Sequence, residues 1–184
     1  MGYFKHERAM VHEGAQIGEG TRIWANTNIQ NGAIIGKNCN ICDGTFVEKG
    51  AVIGNNVTIK HYVSVFDGIT IEDDVFIGSN IAFINDRFPR SNNGGNWTLE
   101  KVTVKKGATI GTNAVIMCGI TIGEYAMIGA GSVVCKDVKR HELVVGNPGK
   151  VIGYVAKNGK RLDNDLVDTE GNRYQIGKDG LEML

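Results

Sequence analysis

A spacing of six residues between aliphatic side chains constrains this chain more than any other feature of its sequence. From Val11 to Ile77 an aliphatic residue stands at every sixth position, and the same spacing resumes from Val104 to Val134. This period matches neither the period of a helix, near 3.6 residues, nor the simple alternation of an open strand. It predicts a short extended segment followed by a corner, repeated along the chain.

The predicted corners have a composition of their own. Three residues after the aliphatic position, sixteen of the eighteen hexads carry Gly, Asn or Asp, and Tyr62 and Tyr125 occupy the other two. Gly, Asn and Asp are the residues that most readily adopt positive φ. We therefore expect a left-handed backbone conformation at every corner. Tyr62 and Tyr125 are then either strained or part of a different turn, and Tyr125 is expected only to shield the coil beneath it.

This pattern resembles the hexapeptide repeat of left-handed parallel β-helix acyltransferases. The resemblance covers most of residues 11–138 and implies an all-β fold in which three hexads form one triangular coil. Eighteen hexads then give about six coils around one aliphatic core. We predict a β-helix acyltransferase domain over residues 1–153, with a protruding loop at about 84–101.

Beyond the repeat, residues 154–184 are predicted to form a C-terminal β-hairpin extension. Asn158-Gly159 and Glu170-Gly171-Asn172 are turn signals between short strand-like runs. Relatives often carry paired cysteines in such a tail, and this tail has none. We therefore expect no structural zinc.

Composition argues against several classes of function. The formal net charge is zero, which gives no indication of binding to nucleic acid or to an anionic membrane. The first ten residues, MGYFKHERAM, lack an apolar signal region, and no apolar run has the length of a membrane span. These features predict a soluble, cytoplasmic protein. Cys39 and Cys42 have the spacing of half a zinc site or a redox pair, but their place inside the repeat favours small buried side chains.

The repeat is interrupted between Phe83 and Val104. These residues are 21 positions apart, so nine or fifteen residues must leave the coil if the hexads stay in step. A long loop in a regular solenoid is usually functional. The polar run 92–96 is suited to an arm that reaches another subunit.

The start of this loop, residues 85–91, narrows the resemblance. Its sequence Asn-Asp-Arg-Phe-Pro-Arg-Ser is similar to the sugar-binding segment of enzymes that N-acetylate dTDP-3-amino-3,6-dideoxyhexoses. The resemblance implies acetyl-CoA as cosubstrate and a role in making surface-polysaccharide precursors such as those of lipopolysaccharide O-antigen. An N-acetyltransferase for a UDP-linked 3-amino uronic acid is the alternative within the same family.

The loop residues receive roles from this resemblance and from their chemistry. The resemblance implies that Asn85 orients the sugar amine through its side-chain carbonyl. Asp86 can accept a hydrogen bond from the amine or from a neighbouring hydroxyl, and Arg87 and Arg90 suit a diphosphate because their donors are forked. Asn85 and Asp86 are the predicted catalytic residues. The predicted substrate-binding residues of this region are Asp67, Arg87, Phe88 and Arg90.

One corner of each coil is chemically uneven. It carries Trp24 in one coil and Lys60, His61 and Tyr62 in another. The uneven composition has two interpretations, surface variation or the edge of a substrate cleft. We place Trp24, His61 and Tyr62 in the substrate-binding set; His61 would also suit a general base at neutral pH.

Residues 146–150 resemble the Gly-x-Pro-Ala-Lys segment that ends many domains of this family, with Gly149 in place of Ala. In the family, acetyl-CoA lies along the cleft between neighbouring C-terminal coils. The matching positions predict a cofactor-binding set of Gly119, Gly131, Lys136, Pro148 and Lys150. Each of the glycines and lysines can also be read as an ordinary turn residue or solvated side chain.

The family assembles as trimers with active sites between subunits, so a homotrimer is expected. A γ-class carbonic anhydrase-like metalloenzyme shares the coil but needs three histidine ligands, and the coils contain only His61. A non-enzymatic assembly module is the third class, against which the composition of the loop argues. We therefore predict an enzyme without a metal.

Overall fold

The computed structural model of the chain describes residues 2–92 and 95–184, and its regular elements there are all β-strands. Most strands contain two residues, and they stack into three parallel sheets that form the faces of a prism. Within the described residues no helix has the length and apolar character needed to cross a membrane.

The strands follow one another around the prism. The first sheet contains β1 (Phe4–Lys5), β4 (Arg22–Ile23), β7 (Asn40–Ile41), β10 (Thr58–Ile59), β13 (Phe76–Ile77), β16 (Thr109–Ile110), β19 (Met127–Ile128), β21 (Glu142–Val145) and β22 (Lys150–Tyr154). The second contains β2 (Met10–Val11), β5 (Asn28–Ile29), β8 (Phe46–Val47), β11 (Ser64–Val65), β14 (Ala82–Phe83), β17 (Val115–Ile116) and β20 (Val133–Val134). The third contains β3 (Gln16–Ile17), β6 (Ile34–Ile35), β9 (Val52–Ile53), β12 (Ile69–Ile71), β15 (Val102–Val104) and β18 (Thr121–Ile122).

The aliphatic residue of each hexad points into one continuous core. In the first sheet Ile23 pairs with Ile41, which pairs with Ile59, so equivalent positions stack directly from coil to coil. All three side chains are completely buried. Burial of these aliphatic side chains is the main favourable contribution to the fold.

The corners adopt the left-handed conformation almost throughout. Nine glycines and eight other residues of the eighteen predicted corners have positive φ. Tyr62 and Tyr125 are among them, with φ of 58° and 56°, so these two corners keep the common turn. Asp137 is the exception to the prediction: its carboxylate accepts the backbone N–H of Thr121 at 2.8 Å in the irregular last coil.

The interruption of the repeat is an insertion of fifteen residues. Ile71 pairs with Val104 across the third sheet, a separation of 33 positions where neighbouring coils differ by 18. The inserted segment leaves the prism after β14 and returns at β15. Of the predicted loop 84–101, Asn93 and Gly94 lie outside the described residues.

The C-terminal part extends the first sheet and then leaves it. β21 continues the ladder in parallel, and β22 pairs with β21 in the antiparallel sense. With β1 and β21 the first sheet has eight parallel strands, so the prism is longer than the about six coils counted from hexads. A hairpin of β23 (Tyr174–Gly177) and β24 (Gly180–Met183) follows.

The predicted fold class is confirmed: an all-β, left-handed parallel β-helix with a protruding loop and a small C-terminal β extension. The extension has a hydrophobic cluster of its own, built from Ala156, Leu162, Tyr174 and Leu181. The domain boundary between residues 153 and 154 stays a prediction; β22 ends at Tyr154.

Candidate functional site

One cavity, here called the main cavity, lies between the inserted loop and the prism edge that joins the second and third sheets. Its volume is about 660 Å³. The corners of two coils provide one wall and the loop provides the other. The lining residues are Glu48, Phe66, Asp67, Asn85, Asp86, Pro89, Arg90, Ser91 and Trp97.

Asp67 belongs to the corner that follows β11. Its backbone N–H donates a hydrogen bond of 2.9 Å to Oε2 of Glu48, which stands one coil earlier. Its carboxylate lies directly over Gly50, where any Cβ atom would clash with it. Both contacts fix the Asp67 carboxylate at the cavity wall.

Asn85 and Asp86 lie where the chain leaves the prism. The backbone of Ile84 still pairs with the coil above, donating to the Ile116 carbonyl at 2.9 Å. The carbonyl of Asn85 then accepts a hydrogen bond of 3.2 Å from the N–H of Glu100, on the returning limb of the loop. Oδ1 of Asp86 accepts the N–H of Phe88 at 2.9 Å. The two predicted catalytic residues are therefore neighbours in the cavity and are half-buried.

The remaining predicted loop residues divide between the cavity and its surroundings. Arg90 lines the cavity and donates from Nη1 to the Pro89 carbonyl at 2.7 Å. Arg87 does not line it; its guanidinium pairs with Glu100. Phe88 is 77% exposed. Hydrogen bonding from Arg87 lowers the pKa of the Glu100 carboxyl, and the same bond raises the pKa of Arg87.

A second, smaller cavity lies on the edge that joins the first and second sheets. Its volume is about 330 Å³, and it is lined by Arg22, Trp24, Asn40, Cys42, Asp43, Lys60 and His61. Nε1 of Trp24 donates to Oδ1 of Asn40 at 2.8 Å, and Nε2 of His61 lies 3.6 Å from Oδ2 of Asp43. Within one chain, Trp24 and His61 are thus on a different edge from Asn85.

Tyr62 lines neither cavity. Its ring covers the Gly44 corner of the preceding coil, where a Cβ atom would lie 2.5 Å from Cδ1 of the tyrosine. The ring is 68% exposed. Tyr125 covers Gly107 in the same way, as expected, but it also stacks on His141 at 5.2 Å. Tyr125 therefore does more than shield the coil beneath it, and the expectation that it has no other role was wrong.

The five predicted cofactor-binding residues are spread over the C-terminal coils, and none lines the main cavity. Gly119 and Lys136 lie on the same prism edge as the inserted loop, between the second and third sheets. Gly131 lies on the same prism edge as His61, between the first and second sheets. A Cβ atom on Gly131 would meet nothing within 4 Å among the described residues. Pro148 lies in the turn between β21 and β22, and Lys150 is the first residue of β22. Gly149 of that turn donates to the Val133 carbonyl at 2.8 Å.

Sequence reasoning missed Glu48, Phe66 and Trp97; Pro89 and Ser91 were not predicted individually, but they belong to the predicted sugar-binding segment 85–91. The coil register could have found two of them, because Glu48 and Phe66 precede Ile84 by 36 and 18 positions, which are two coils and one coil. The irregular loop gives no such signal for Trp97. Among the described residues, no three His, Cys, Asp or Glu side chains are grouped so that they could hold a metal ion.

Comparison with known proteins agrees with this architecture. A family model described as the bacterial transferase hexapeptide, with six repeats, matches residues 9–49 and 101–136. A second model, the hexapeptide repeat of succinyl-transferase, matches residues 68–84. The chain belongs to the hexapeptide-repeat family. The matches stop on both sides of the inserted loop of this hexapeptide-repeat protein.

Curated relatives match part of the chain. A dTDP-3-amino-3,6-dideoxy-alpha-D-galactopyranose 3-N-acetyltransferase of Aneurinibacillus thermoaerophilus is 48% identical over 84 residues, which is 44% of this chain and 43% of the relative. A serine acetyltransferase of Bacillus subtilis (strain 168) is 37% identical over 99 residues, 54% of this chain and 44% of the relative. The hexapeptide-repeat chain thus spans less than half the length of these relatives.

Solved structures share the fold. The chain superimposes with a TM-score of 0.53 on AntD, an N-acyltransferase from Bacillus cereus crystallised as a mutant with dTDP and coenzyme A, at 21% identity and with 85% of this chain and 83% of that one covered. The acetyltransferase domain of PglB from Neisseria gonorrhoeae FA1090, in complex with acetyl coenzyme A, also gives 0.53, at 20% identity over 82% of this chain and 57% of that one.

Proposed function

We propose that this protein is an acetyl-CoA-dependent N-acetyltransferase whose acceptor is the amino group of a nucleotide-linked 3-amino-3,6-dideoxyhexose. The observation that carries the proposal is the cavity under the loop, where the side chains of Asn85 and Asp86 face a wall that contains Asp67. The name of the Aneurinibacillus relative supports the same acceptor class. Production of surface-polysaccharide precursors, O-antigen included, follows from such a product.

The chemistry is a simple acyl transfer. The lone pair of the neutral sugar amine attacks the thioester carbonyl of acetyl-CoA, the C–S bond breaks, and an amide and CoA are formed. The nitrogen loses one proton, which the departing thiolate can accept. Asn85 orients the amine, and Asp86 accepts a hydrogen bond from it; Oδ2 of Asp86 has no partner within the described part of the chain. Positioning of this kind supplies much of the rate enhancement.

The charges of the cavity favour a neutral hexose over a uronic acid. Three carboxylates line it, those of Glu48, Asp67 and Asp86, and among the described residues Arg90 is the one basic side chain in its lining. A sugar carboxylate would face several like charges at short range, whereas hydroxyl groups and an amine can donate to them. Arg90 then remains for the diphosphate. The UDP-linked 3-amino uronic acid is therefore the weaker alternative.

We propose a homotrimer with its active sites between subunits as the working unit, located in the cytoplasm. The observation behind it is the placement of Trp24, His61 and Tyr62 on a different edge from Asn85. In a closed ring one edge of each subunit faces another edge of its neighbour, so the two sets can meet across the boundary. Acetyl-CoA would run along the C-terminal coils past Gly119, Gly131, Lys136, Pro148 and Lys150.

The test is a transfer assay with a panel of acceptors. The purified protein is incubated with acetyl-CoA and, separately, a dTDP-3-amino-3,6-dideoxyhexose, a UDP-linked 3-amino uronic acid and L-serine, and products are identified by mass spectrometry. We expect acetylation of the dTDP-amino sugar with the highest kcat/KM. Preferred acetylation of serine or of the uronic acid would contradict the proposal.

A further inference from the structure

The two limbs of the inserted loop are joined by an ion pair. Nε and Nη2 of Arg87 donate to the two carboxylate oxygens of Glu100 at 2.8 and 2.7 Å. Nη2 also donates to the carbonyl oxygen of Cys118 at 3.0 Å. The guanidinium therefore connects the outgoing limb, the returning limb and the coil above them.

This ion pair is connected directly to the candidate catalytic residue. The backbone N–H of Glu100 donates to the carbonyl of Asn85 at 3.2 Å. On the other side of Glu100, Leu99 packs over the Gly68 corner and the N–H of Val102 donates to the Gly68 carbonyl at 3.1 Å. The returning limb is thus held on the prism and in turn holds the backbone of Asn85.

The Gly119 corner of the coil above leaves room for the ion pair. Gly119 has a φ of +74°, and a Cβ atom at this position would lie 2.7 Å from Oε2 of Glu100 and 3.2 Å from Nη2 of Arg87. A side chain at this corner would displace the ion pair even if the backbone tolerated it. The absence of a side chain at Gly119 thus allows the ion pair to lie against this corner.

We propose that Arg87 and Glu100 are positioning residues: they fix the loop so that Asn85 and Asp86 face the cavity, and Arg87 is not a ligand of the substrate diphosphate. The inference rests on the proposed function for its catalytic readout. Two of the donor nitrogens of Arg87 are already used within the chain, and the bidentate geometry is the one in which a guanidinium binds a carboxylate most strongly. Arg90 lines the cavity and has its Nε and Nη2 donors left for phosphate oxygens within the described residues.

The positioning role and the ligand role predict different kinetics. Loss of a positioning pair displaces the reacting amine, which lowers kcat and leaves KM for acetyl-CoA unchanged. Loss of a diphosphate ligand raises KM for the sugar nucleotide only. If the pair has a positioning role, removing Glu100 should lower kcat as much as removing Arg87 does. If Arg87 is a diphosphate ligand, removing Glu100 should change the kinetics little.

The experiment compares Arg87→Ala, Glu100→Ala and the double variant, with Lys105→Ala as the control. Lys105 also forms an ion pair, at 3.1 Å with Glu72, but outside the loop. Rates are measured with the dTDP-amino sugar and with its 1-O-methyl glycoside, which lacks the diphosphate. We expect each single variant to lose about 10- to 100-fold in kcat with both acceptors, the double variant to lose no more than the singles, and the control to keep full activity.

A second readout is independent of turnover. Hydrogen exchange of the amides in residues 85–92 should speed up at least tenfold in either single variant and remain slow in the control. Unchanged exchange, or a KM effect seen only for Arg87→Ala and only with the full sugar nucleotide, would overturn the proposal. If the wild-type protein acetylated no amino sugar, the proposed function would fail, and hydrogen exchange would still decide whether the pair holds the loop.

Discussion

At the scale of single residues, the side chain of Asn85 carries the chemistry proposed here. Asn85→Ala keeps the backbone hydrogen bond to Glu100 but removes the amide that orients the amine. We expect kcat to fall by about 100-fold while the Kd for acetyl-CoA, measured by calorimetry, changes little. Asn92→Ala, in the same loop but outside the cavity lining, is the matched control. Near-normal kcat in Asn85→Ala would remove this residue from the mechanism.

The two tyrosine corners allow a paired test of backbone strain. A non-glycine residue held in this conformation costs of order 1–3 kcal/mol. Tyr62→Gly should relieve that strain and leave the Tm equal or higher, because the ring is 68% exposed and its contacts with the Gly44 corner and with the His61 ring are at the surface. It should also raise KM for the sugar nucleotide. Tyr125→Gly should lower the Tm, because its ring stacks on buried His141. A Tyr62→Gly variant that only loses stability, with KM unchanged, would make Tyr62 a packing residue.

Sequence reasoning reached different depths at different residues. The hexad period predicted that Ile23, Ile41 and Ile59 point into the core, because the same position of each short strand is buried in every coil. The left-handed corners could also be predicted, because glycine and asparagine readily adopt positive φ. The ion pair of Arg87 could not be predicted. Its sequence neighbours suggest a phosphate ligand, and only the folded loop brings Glu100, thirteen positions away, to its guanidinium.

At the scale of elements, the C-terminal extension is attached through a buried histidine. His141 shares a hydrogen bond of 2.7 Å between Nδ1 and the Val155 carbonyl and contacts the rings of Tyr125 and Tyr174. Burial lowers the pKa of His141; nearby Arg140 and Lys157 act in the same direction, and the Val155 carbonyl and Glu124 oppose them.

This lowered pKa gives the extension a pH dependence. The unfolded histidine has a pKa near 6.5, so the attachment is at full strength above about 6.5 and weakens as the pH falls towards the lower pKa of the folded state. Hydrogen exchange in residues 154–184 should therefore increase between neutral and mildly acidic pH. His141→Asn, which tolerates positive φ, should remove most of this dependence. Exchange that is equally pH-dependent in this variant would show that another group is responsible.

Prediction of the elements was also uneven. The length of the insertion was limited to nine or fifteen residues by the need to keep the hexads in register, and the pairing of β12 with β15 selects fifteen. The path of the loop could not be predicted, because its course depends on individual contacts such as Leu99 on Gly68. The turn of the hairpin of β23 and β24 is formed by Lys178-Asp179, between Gly177 and Gly180. The sequence analysis did not predict a turn at this position.

At the scale of the whole molecule, the separation of the two cavities makes a prediction about assembly. If each active site combines the His61 edge of one subunit with the Asn85 loop of the next, His61→Ala and Asn85→Ala trimers should each be impaired. After mixing, unfolding and refolding together, about a quarter of the sites would be free of both changes. Activity should rise to about that fraction of wild type. Failure to complement, with both trimers reassembled, would place the whole site within one chain.

The most direct measurement of the central claim is the identity of the acetylated atom. The wild-type protein is supplied with acetyl-CoA labelled in its carbonyl carbon and with a dTDP-3-amino-3,6-dideoxyhexose, and the product is analysed by NMR. We predict that the labelled acetyl group forms an amide with the 3-amino nitrogen. The rate of this reaction should be strongly reduced in Asn85→Ala. Label on a sugar hydroxyl, or no transfer to this acceptor at saturating acetyl-CoA, would contradict the claim.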